Sequence, residues 1–246
     1  MHIILNKNHK LIERIFRQQD YLRMKYVEEK QKRIVYGSIH EWNDVEADEV
    51  DVAKGDDDPL VMNPKKPIVW EQWGGIVERG APESLMLTRL DPSKTIRRAP
   101  GPGPIRKRDW KPLAEKYLRD KKVILCTDGA RSYKLRLPGV MHTWVVHKKK
   151  RVKIGGKWRW IRPKFVKLHT HYLPPKGRKL VVKAGTQIID RFWSYLRTHI
   201  RSGPRKPRSI NLRRRIRSAQ WNYWYRGQDL WVKTCEMLKN HFSKFS

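Results

Sequence analysis

The chain has 246 residues, of which 56 are Lys or Arg and 24 are Asp or Glu, a formal net charge of +32. Such an excess must be neutralised, and a polyanion is the usual partner. Eleven Trp and nine Tyr are too many for a disordered basic tail, so we expect a folded protein with one sizeable core.

Membrane insertion and disulfide scaffolding are not expected. The chain has no run of 18 apolar residues, and the apolar part of its N-terminus is too short for a signal peptide. Two cysteines, Cys126 and Cys235, do not predict a disulfide framework or a cysteine zinc site. We therefore expect an intracellular protein, located in the nucleus if its target is DNA in a eukaryotic cell.

The charge is unevenly distributed along the chain. From residue 128 onward there are 31 Lys or Arg and only four acids, which are Asp128, Asp190, Asp229 and Glu236. Because acids are so rare in this part of the chain, each remaining acid is expected to have a specific structural or functional role. Asp128 and Asp190 are therefore candidates for a functional role.

The first half of the chain predicts a helix followed by strands. Residues 9–34 have apolar positions near helical spacing and predict one or two amphipathic helices. In residues 45–52, apolar residues alternate with acids, which predicts a strand with an acidic face that includes Asp48. Residues 67–79 and 84–90 predict two further strands joined as a hairpin through Gly80–Glu83.

A helix and a buried strand follow. Residues 109–120 predict a helix with Asp109 as its N-cap. The apolar run 123–126 ends in Thr-Asp-Gly, which is typical of a buried strand that delivers Asp128 to a sheet edge, where α/β folds place their chemistry. The alternative is an ordinary β-turn aspartate after a core strand.

The second half continues with a strand at 140–147, a basic insertion at 148–183 and a helix at 186–200. Gly155-Gly156 in the insertion predicts a β-hairpin. The helix carries a buried stripe with Asp190 at its edge, in the first turn, where the helix dipole favours an acid. Residues 211–239 predict one or two last helices rich in Arg, Trp and Tyr.

This order of elements predicts an α/β fold with an RNase H-like mixed sheet, in which three antiparallel strands precede helix–strand units. We expect flanking N- and C-terminal helices and a basic β-hairpin insertion. The predicted division is a helical segment at 1–36, a catalytic domain at 37–203 with the insertion at 148–183, and a basic aromatic segment at 204–246.

In such a layout Asp48, Asp128 and Asp190 can meet at one edge of the sheet. Three carboxylates at one point repel unless cations hold them, and ligands that offer only oxygen suit Mg²⁺ or Mn²⁺. Two such ions can activate a water or a 3′-hydroxyl on one side of a phosphodiester and stabilise the leaving oxygen on the other.

Five segments, in order, resemble transposases of the ISXO type of insertion sequence, which are related to the eukaryotic Merlin elements. VEADEVDVAKG is similar to their VE-x-DE-x strand, and GGIVERG to their GAVERGG strand. CTDGARSY resembles TDG-x-RSY, PGVMHTWVVHKK resembles GY-x-H-x-VVNH, and GTQIIDRFWSYLR resembles HTN-x-IE-x-FWS-x-LK. The similarity covers roughly residues 25–200.

By position, the resemblance implies that Asp48, Asp128 and Asp190 are the DDE catalytic triad and hold the metal ions. It implies cut-and-paste transposition, with hydrolysis at the element ends of double-stranded DNA and attack of a 3′-hydroxyl on target DNA, by a homo-oligomer. Asp190 stands where the family usually has Glu, and Gln187 where it usually has Asn. The Cys/His cluster of the N-terminal zinc ribbon found in bacterial members is absent from the sequence.

Several further residues are candidates for DNA contacts. His142 and His147 align with family histidines and flank the site strand, so with Gln187 they are possible accessory residues. For the histidines we expect a hydrogen-bonded structural role, with contact to metal or phosphate as the alternative. Arg131, after the Asp-Gly turn, is a candidate for the scissile phosphate. The insertion and the Arg213–Arg217 cluster supply the other predicted phosphate contacts: Lys148, Lys149, Lys150, Arg151, Lys157, Arg159, Arg213, Arg214 and Arg215.

Trp158 and Trp160 alternate with Lys157 and Arg159 in the predicted hairpin, which indicates an aromatic face and a cationic face. We expect the two tryptophans to cover the core, with stacking on a flipped or single-stranded base as the alternative.

Two other functions remain open at this point. The Glu-to-Asp change and the absent zinc ribbon are consistent with a decayed or domesticated copy that only binds DNA. Composition alone is also consistent with a basic protein associated with RNA or the ribosome.

Overall fold

The computed structural model describes residues 8–56, 67–147, 149–173, 177–201 and 205–243. Within these ranges the chain forms five α-helices: α1 (His9–Lys30), α2 (Lys107–Tyr117), α3 (Gln187–Ile200), α4 (Ile210–Trp224) and α5 (Leu230–Phe242). Its strands are β1 (Asn43–Asp56), β2 (Ile68–Glu78), β3 (Ala81–Arg89), β4 (Ser93–Thr95), β5 (Val123–Thr127), β6 (Val140–Trp144), β7 (Lys150–Ile154), β8 (Lys157–Ile161), β9 (Lys167–Leu173) and β10 (Arg178–Ala184).

The centre of the fold is a six-stranded mixed sheet with the order β3-β2-β1-β5-β6, to which β4 adds by pairing with β2. β2 runs antiparallel to β1, β3 and β4, whereas β5 and β6 run parallel to β1. The helix α2 lies in the chain between the antiparallel part and β5. The predicted α/β class with a mixed sheet is therefore confirmed.

The sheet is covered on both faces, so apolar side chains are buried on both sides of its central strand β1. One core cluster packs α2, through Trp110 and Ala114, against the first face. A second cluster packs α3 and α4 against the other face, with Trp193 and Trp221 among its buried side chains. All five residues of β5 are buried, with Val123 and Leu125 on the α2 side and Ile124 and Cys126 in a separate small cluster.

The predicted acidic face of β1 is wrong because both faces of this strand are buried. Val45 and Ala47 belong to the cluster on the α2 side, whereas Val50 and Val52 belong to the cluster on the α3 side. The acids of β1 are therefore divided between two covered faces and do not form one solvated stripe.

The flanking helices share the second cluster with the sheet. Val27 of α1 and Ile216 of α4 lie in it together with the buried face of α3. Arg217 of α4 donates to the carbonyl of Leu87 at 3.0 Å, and burial lowers its pKa to about 10. Arg217, the last residue of the predicted basic cluster, is therefore enclosed in the core and not available to a phosphate. The boundaries at residues 36 and 203 stay predictions.

The insertion between β6 and α3 contains two antiparallel strand pairs, where the sequence indicated one hairpin. β7 and β8 turn at Gly155-Gly156, both of which have positive φ, as the glycine pair predicted. β9 pairs with β10, and Val182 of β10 packs against Ile124 and Cys126 of β5.

Two predicted boundaries differ from the structure. α2 begins at Lys107 with Arg106 at the N-cap, and Asp109 instead lies in the first turn, where its carboxylate pairs with the Arg106 guanidinium. β6 ends at Trp144, three residues before the predicted end. Among the helices of the described ranges, none has the length and apolar character that a membrane span requires.

Candidate active site

The register of the parallel strands brings two of the predicted acids to corresponding positions. β1 pairs with β5 from Asn43 opposite Val123 to Glu46 opposite Cys126. Asp48 and Asp128 each lie two residues beyond that last pair, and Asp128 directly follows the end of β5 at Thr127. Adjacent strands are about 4.8 Å apart, and the two carboxylates therefore project from neighbouring parts of one sheet edge.

Helix α3 supplies the third predicted acid. Its buried stripe, which includes Ile189, Trp193 and Leu196, packs the helix on the sheet. Trp193 donates from Nε1 to Oδ2 of Asp48 at 3.0 Å, so the first turns of α3 lie directly over β1. Asp190 is three residues before Trp193 and thus on the neighbouring part of the same helix surface. Thr186 donates to its Oδ2 at 3.0 Å.

The three carboxylates interact electrostatically. Burial raises the pKa of Asp48 well above its ordinary value, and the negative charges of Glu49, Asp190 and Asp128 raise it further. The unfavourable charge on Asp48 is the kind that a bound cation relieves. Asp48 is thus within electrostatic range of both other predicted acids.

The arrangement does not form a coordination shell. Among the residues that the structure describes, no group of three or more His, Cys, Asp or Glu side chains is placed to hold one metal ion. One oxygen of each carboxylate is engaged in a hydrogen bond: Asp48 with Trp193, Asp190 with Thr186, and Asp128 with the backbone N–H of Ala130 at 2.8 Å. Carboxylate oxygens are suitable ligands for Mg²⁺ or Mn²⁺. For all three carboxylates to bind the same ions, their side chains must move closer to one another.

Glu49 contributes to the site from the opposite face of β1, and the sequence did not single it out. Its carboxylate accepts a hydrogen bond from the N–H of Ile105 at 2.9 Å and another from the hydroxyl of Tyr133. Burial raises the pKa of Glu49, and the charge of Asp128 adds to the effect. Because Tyr133 ends the short 3₁₀ turn Arg131–Tyr133, Glu49 fixes the chain that follows Asp128. In the sequence, the two adjacent acids Asp48 and Glu49 within an otherwise largely apolar segment were the feature that could have identified Glu49.

Glu46 fixes the helix that carries Asp190, and it was also missed. Its side chain is 1% exposed, and its Oε2 accepts from the N–H groups of Ile188 at 2.8 Å and Ile189 at 3.1 Å. Its Oε1 accepts from Nε of Arg79 at 2.8 Å. A carboxylate at the positive end of a helix is favourable. Glu46 therefore ties the start of α3 to β1 two residues before Asp48.

Arg79 extends this connection into the segment that enters α3. It donates to the carbonyl of Lys183 at 2.7 Å and to that of Gly185 at 2.9 Å. It also lies 3.5 Å from a carboxylate oxygen of Asp44. One guanidinium thus joins the β2–β3 turn, β1 and the end of β10.

The two predicted accessory histidines lie in different environments. The Thr127 hydroxyl donates to the carbonyl of Asp128 at 2.7 Å, so its oxygen accepts from Nε2 of His142 at 2.8 Å. Burial lowers the pKa of His142 to about 4, which keeps the ring neutral. This is the structural, hydrogen-bonded role that the sequence predicted. The ring of His147 lies 5.3 Å from that of Phe165, and its buried Nε2 has no hydrogen-bond partner in the described chain.

The remaining predicted contact residues fall into two groups. Exposed residues are Arg131, Lys149, Lys150, Arg151, Lys157, Arg159 and Gln187, whereas Lys148 lies outside the described residues. The arginines of α4 instead make contacts within the protein: Arg213 with Glu28 at 2.6 Å, Arg214 over the ring of Tyr21 at 5.1 Å, and Arg215 with the carbonyl of Ile200 at 3.0 Å. These three side chains therefore help to hold α4 against α1 and α3.

Comparison with known proteins adds no relative. No protein-family model matches the chain, and neither a curated protein nor a solved structure matches it. The interpretation of the site therefore depends on its own residues and on the sequence motifs that carry the resemblance.

Proposed function

We propose that this protein is a DNA transposase that cuts and joins phosphodiester bonds with divalent metal ions bound by Asp48, Asp128 and Asp190. The observation that carries the proposal is that Asp48 lies close enough to the other two acids for their negative charges to raise its pKa. Asp128 directly follows β5, the parallel neighbour of β1, and α3 carries Asp190; the charges of both acids raise the pKa of Asp48.

The topology supports this proposal. The order β3-β2-β1-β5-β6 with β2 reversed is the arrangement expected of an RNase H-like sheet. In that layout the acids on the first strand, after the fourth strand of the core and on the late helix share one edge. The insertion lies between β6 and α3, so it is connected directly to the helix that carries Asp190.

Bound Mg²⁺ or Mn²⁺, as a pair of ions, would supply activation of the attacking hydroxyl and charge stabilisation of the leaving oxygen. The chain's own residues hold the carboxylates in place. Trp193 orients Asp48, Thr186 orients Asp190, and the N–H of Ala130 orients Asp128. Asp190 is one methylene shorter than Glu, so its reach depends on how closely Glu46 holds the start of α3 to β1.

The substrate in this proposal is double-stranded DNA, which the net charge of +32 favours. Holding two element ends at once requires a homo-oligomer, and we include one in the proposal. An intracellular location, nuclear in a eukaryotic cell, stays a prediction.

Asp128→Asn tests the proposal. We expect this variant to lose Mg²⁺-dependent nicking of supercoiled plasmid while retaining its affinity for duplex DNA, because the amide preserves shape but removes the charge that binds metal. Asp91→Asn is the matched control, since it makes the same change at an exposed acid outside the site. Equal nicking by the wild type and Asp128→Asn would refute the mechanism.

A second candidate function is DNA binding without catalysis. The lack of a coordinating group among the described side chains favours it. Asp190→Glu separates the two functions. Nicking that appears only in this variant indicates a decayed site, whereas loss of an existing nicking activity indicates a site adapted to Asp.

A further inference from the structure

The hairpin of β7 and β8 exposes two large aromatic side chains. Trp158 is 60% exposed and Trp160 is 66% exposed, so the prediction that they cover the core is wrong. All five residues of β8 are exposed, and the hairpin pairs with no other strand among the described residues. Leaving two indoles in water forgoes the burial that usually stabilises such side chains.

The register places cations beside both indoles. Trp158 is opposite Lys153 and Trp160 is opposite Arg151, so these four side chains share one face of the hairpin. The Arg151 guanidinium lies 5.3 Å from the centre of the Trp158 ring. The alternation predicted within β8 is confirmed, since both tryptophans share one face, and β7 adds two cations to that face. The opposite face carries Lys157 and Arg159.

The composition of the insertion defines the charge of its partner. Residues 148–183 contain 14 Lys or Arg and no Asp or Glu. A partner for the tryptophan face must therefore offer negative charges together with flat apolar surfaces. Unpaired nucleotides offer both, because each combines a phosphate with a base whose face stacks on an aromatic ring. In a duplex the base faces are already stacked on one another, so they are not available to stack on a tryptophan ring.

We propose that the tryptophan face of the β7–β8 hairpin, formed by Arg151, Lys153, Trp158 and Trp160, binds single-stranded DNA. Each indole stacks on one base, and the two cations pair with the adjoining phosphates. Trp158 and Trp160 are about 6.6 Å apart along the strand, which lets each ring take its own base. The choice of DNA rests on the proposed function, in which strand cleavage exposes unpaired ends; the binding itself does not need the carboxylate site.

The experiment measures the affinity of the full chain for a short fluorescently labelled oligonucleotide, as a single strand and as a duplex of the same sequence. Trp158→Ala combined with Trp160→Ala is expected to weaken single-strand binding by about tenfold or more and to leave duplex binding unchanged. Because both side chains are exposed, the thermal unfolding midpoint of this variant should match the wild type.

Two controls separate stacking from charge and from general surface effects. Trp231→Ala removes another exposed tryptophan, 77% accessible and located on α5, and should change neither affinity. Lys157→Ala combined with Arg159→Ala removes cations from the opposite face. It should weaken single-strand and duplex binding together and reduce the salt dependence of both.

The proposal is overturned if the double tryptophan variant binds the single strand as the wild type does, or loses duplex affinity to the same extent. It is also overturned if an RNA strand of the same sequence binds more tightly than the DNA strand, or if the chain binds no oligonucleotide and the face serves a protein partner. Asp128→Asn should retain single-strand binding, so failure of the nuclease site and failure of this inference are separate results.

Discussion

Replacement of Glu46 by alanine is expected to destabilise the protein strongly, because one buried carboxylate connects three parts of the fold. It accepts from two N–H groups at the start of α3 and from the Arg79 guanidinium, whose side chain is itself only 21% exposed. After the substitution, those N–H groups lose their acceptor and Arg79 loses its nearest negative charge.

The magnitude follows from these contacts. Breaking one side of a buried ion pair costs about 3–5 kcal/mol, and losing a helix N-cap costs about 1 kcal/mol. Arg79 keeps Asp44 at 3.5 Å and two carbonyl acceptors, which reduces the first contribution. We expect a total loss of about 3–4 kcal/mol, a large share of the ~5–15 kcal/mol by which domains are usually stable.

Urea unfolding followed by tryptophan fluorescence measures this loss. Glu41→Ala, at an exposed position two residues before β1, is the matched control and should stay within about 0.5 kcal/mol of the wild type. Glu46→Gln should lie between the two, because the amide oxygen still accepts a hydrogen bond but carries no charge. If Glu46→Ala loses no more than Glu41→Ala, Glu46 does not anchor α3 and our account of how Asp190 is positioned fails.

The remaining predictions concern packing and pH. Gly75→Ala should destabilise the fold by about 1–3 kcal/mol, because the added Cβ would lie 2.8 Å from the ring of Trp193. Gly101→Ala is the control in the same unfolding assay, since a Cβ there meets nothing closer than 4.0 Å. Equal stability of the two variants would contradict the close packing of α3 on β2. Burial lowers the pKa of His142 from 6.5 to about 4. Between these pH values the folded state therefore binds fewer protons than the unfolded state. The free energy of unfolding should decrease as the pH falls through that window, by up to about 3 kcal/mol. His142→Gln should show a shallower pH dependence of unfolding than the exposed control His40→Gln, and identical slopes would disprove the assignment.

The sequence by itself determined the elements whose signal is local. The apolar run of β5, the glycine pair of the β7–β8 turn and the helical stripe of α3 each identified their element from a few neighbouring residues. The order of those elements predicted a mixed sheet, and the positions of Asp48, Asp128 and Asp190 in it followed from that order.

Only the tertiary structure decided which partner each side chain meets. The acids of β1 alternate as they would on a solvated strand, but the helices that cover both faces place Glu46 under α3 and Glu49 beside Tyr133. Arg217 lies in a basic cluster of the sequence and is buried against the carbonyl of Leu87, whereas Trp158 is exposed on a hairpin that no helix of the described ranges covers. Burial depends on which distant segment packs on a face, and residues far apart in the chain determine that, so no local pattern contains it.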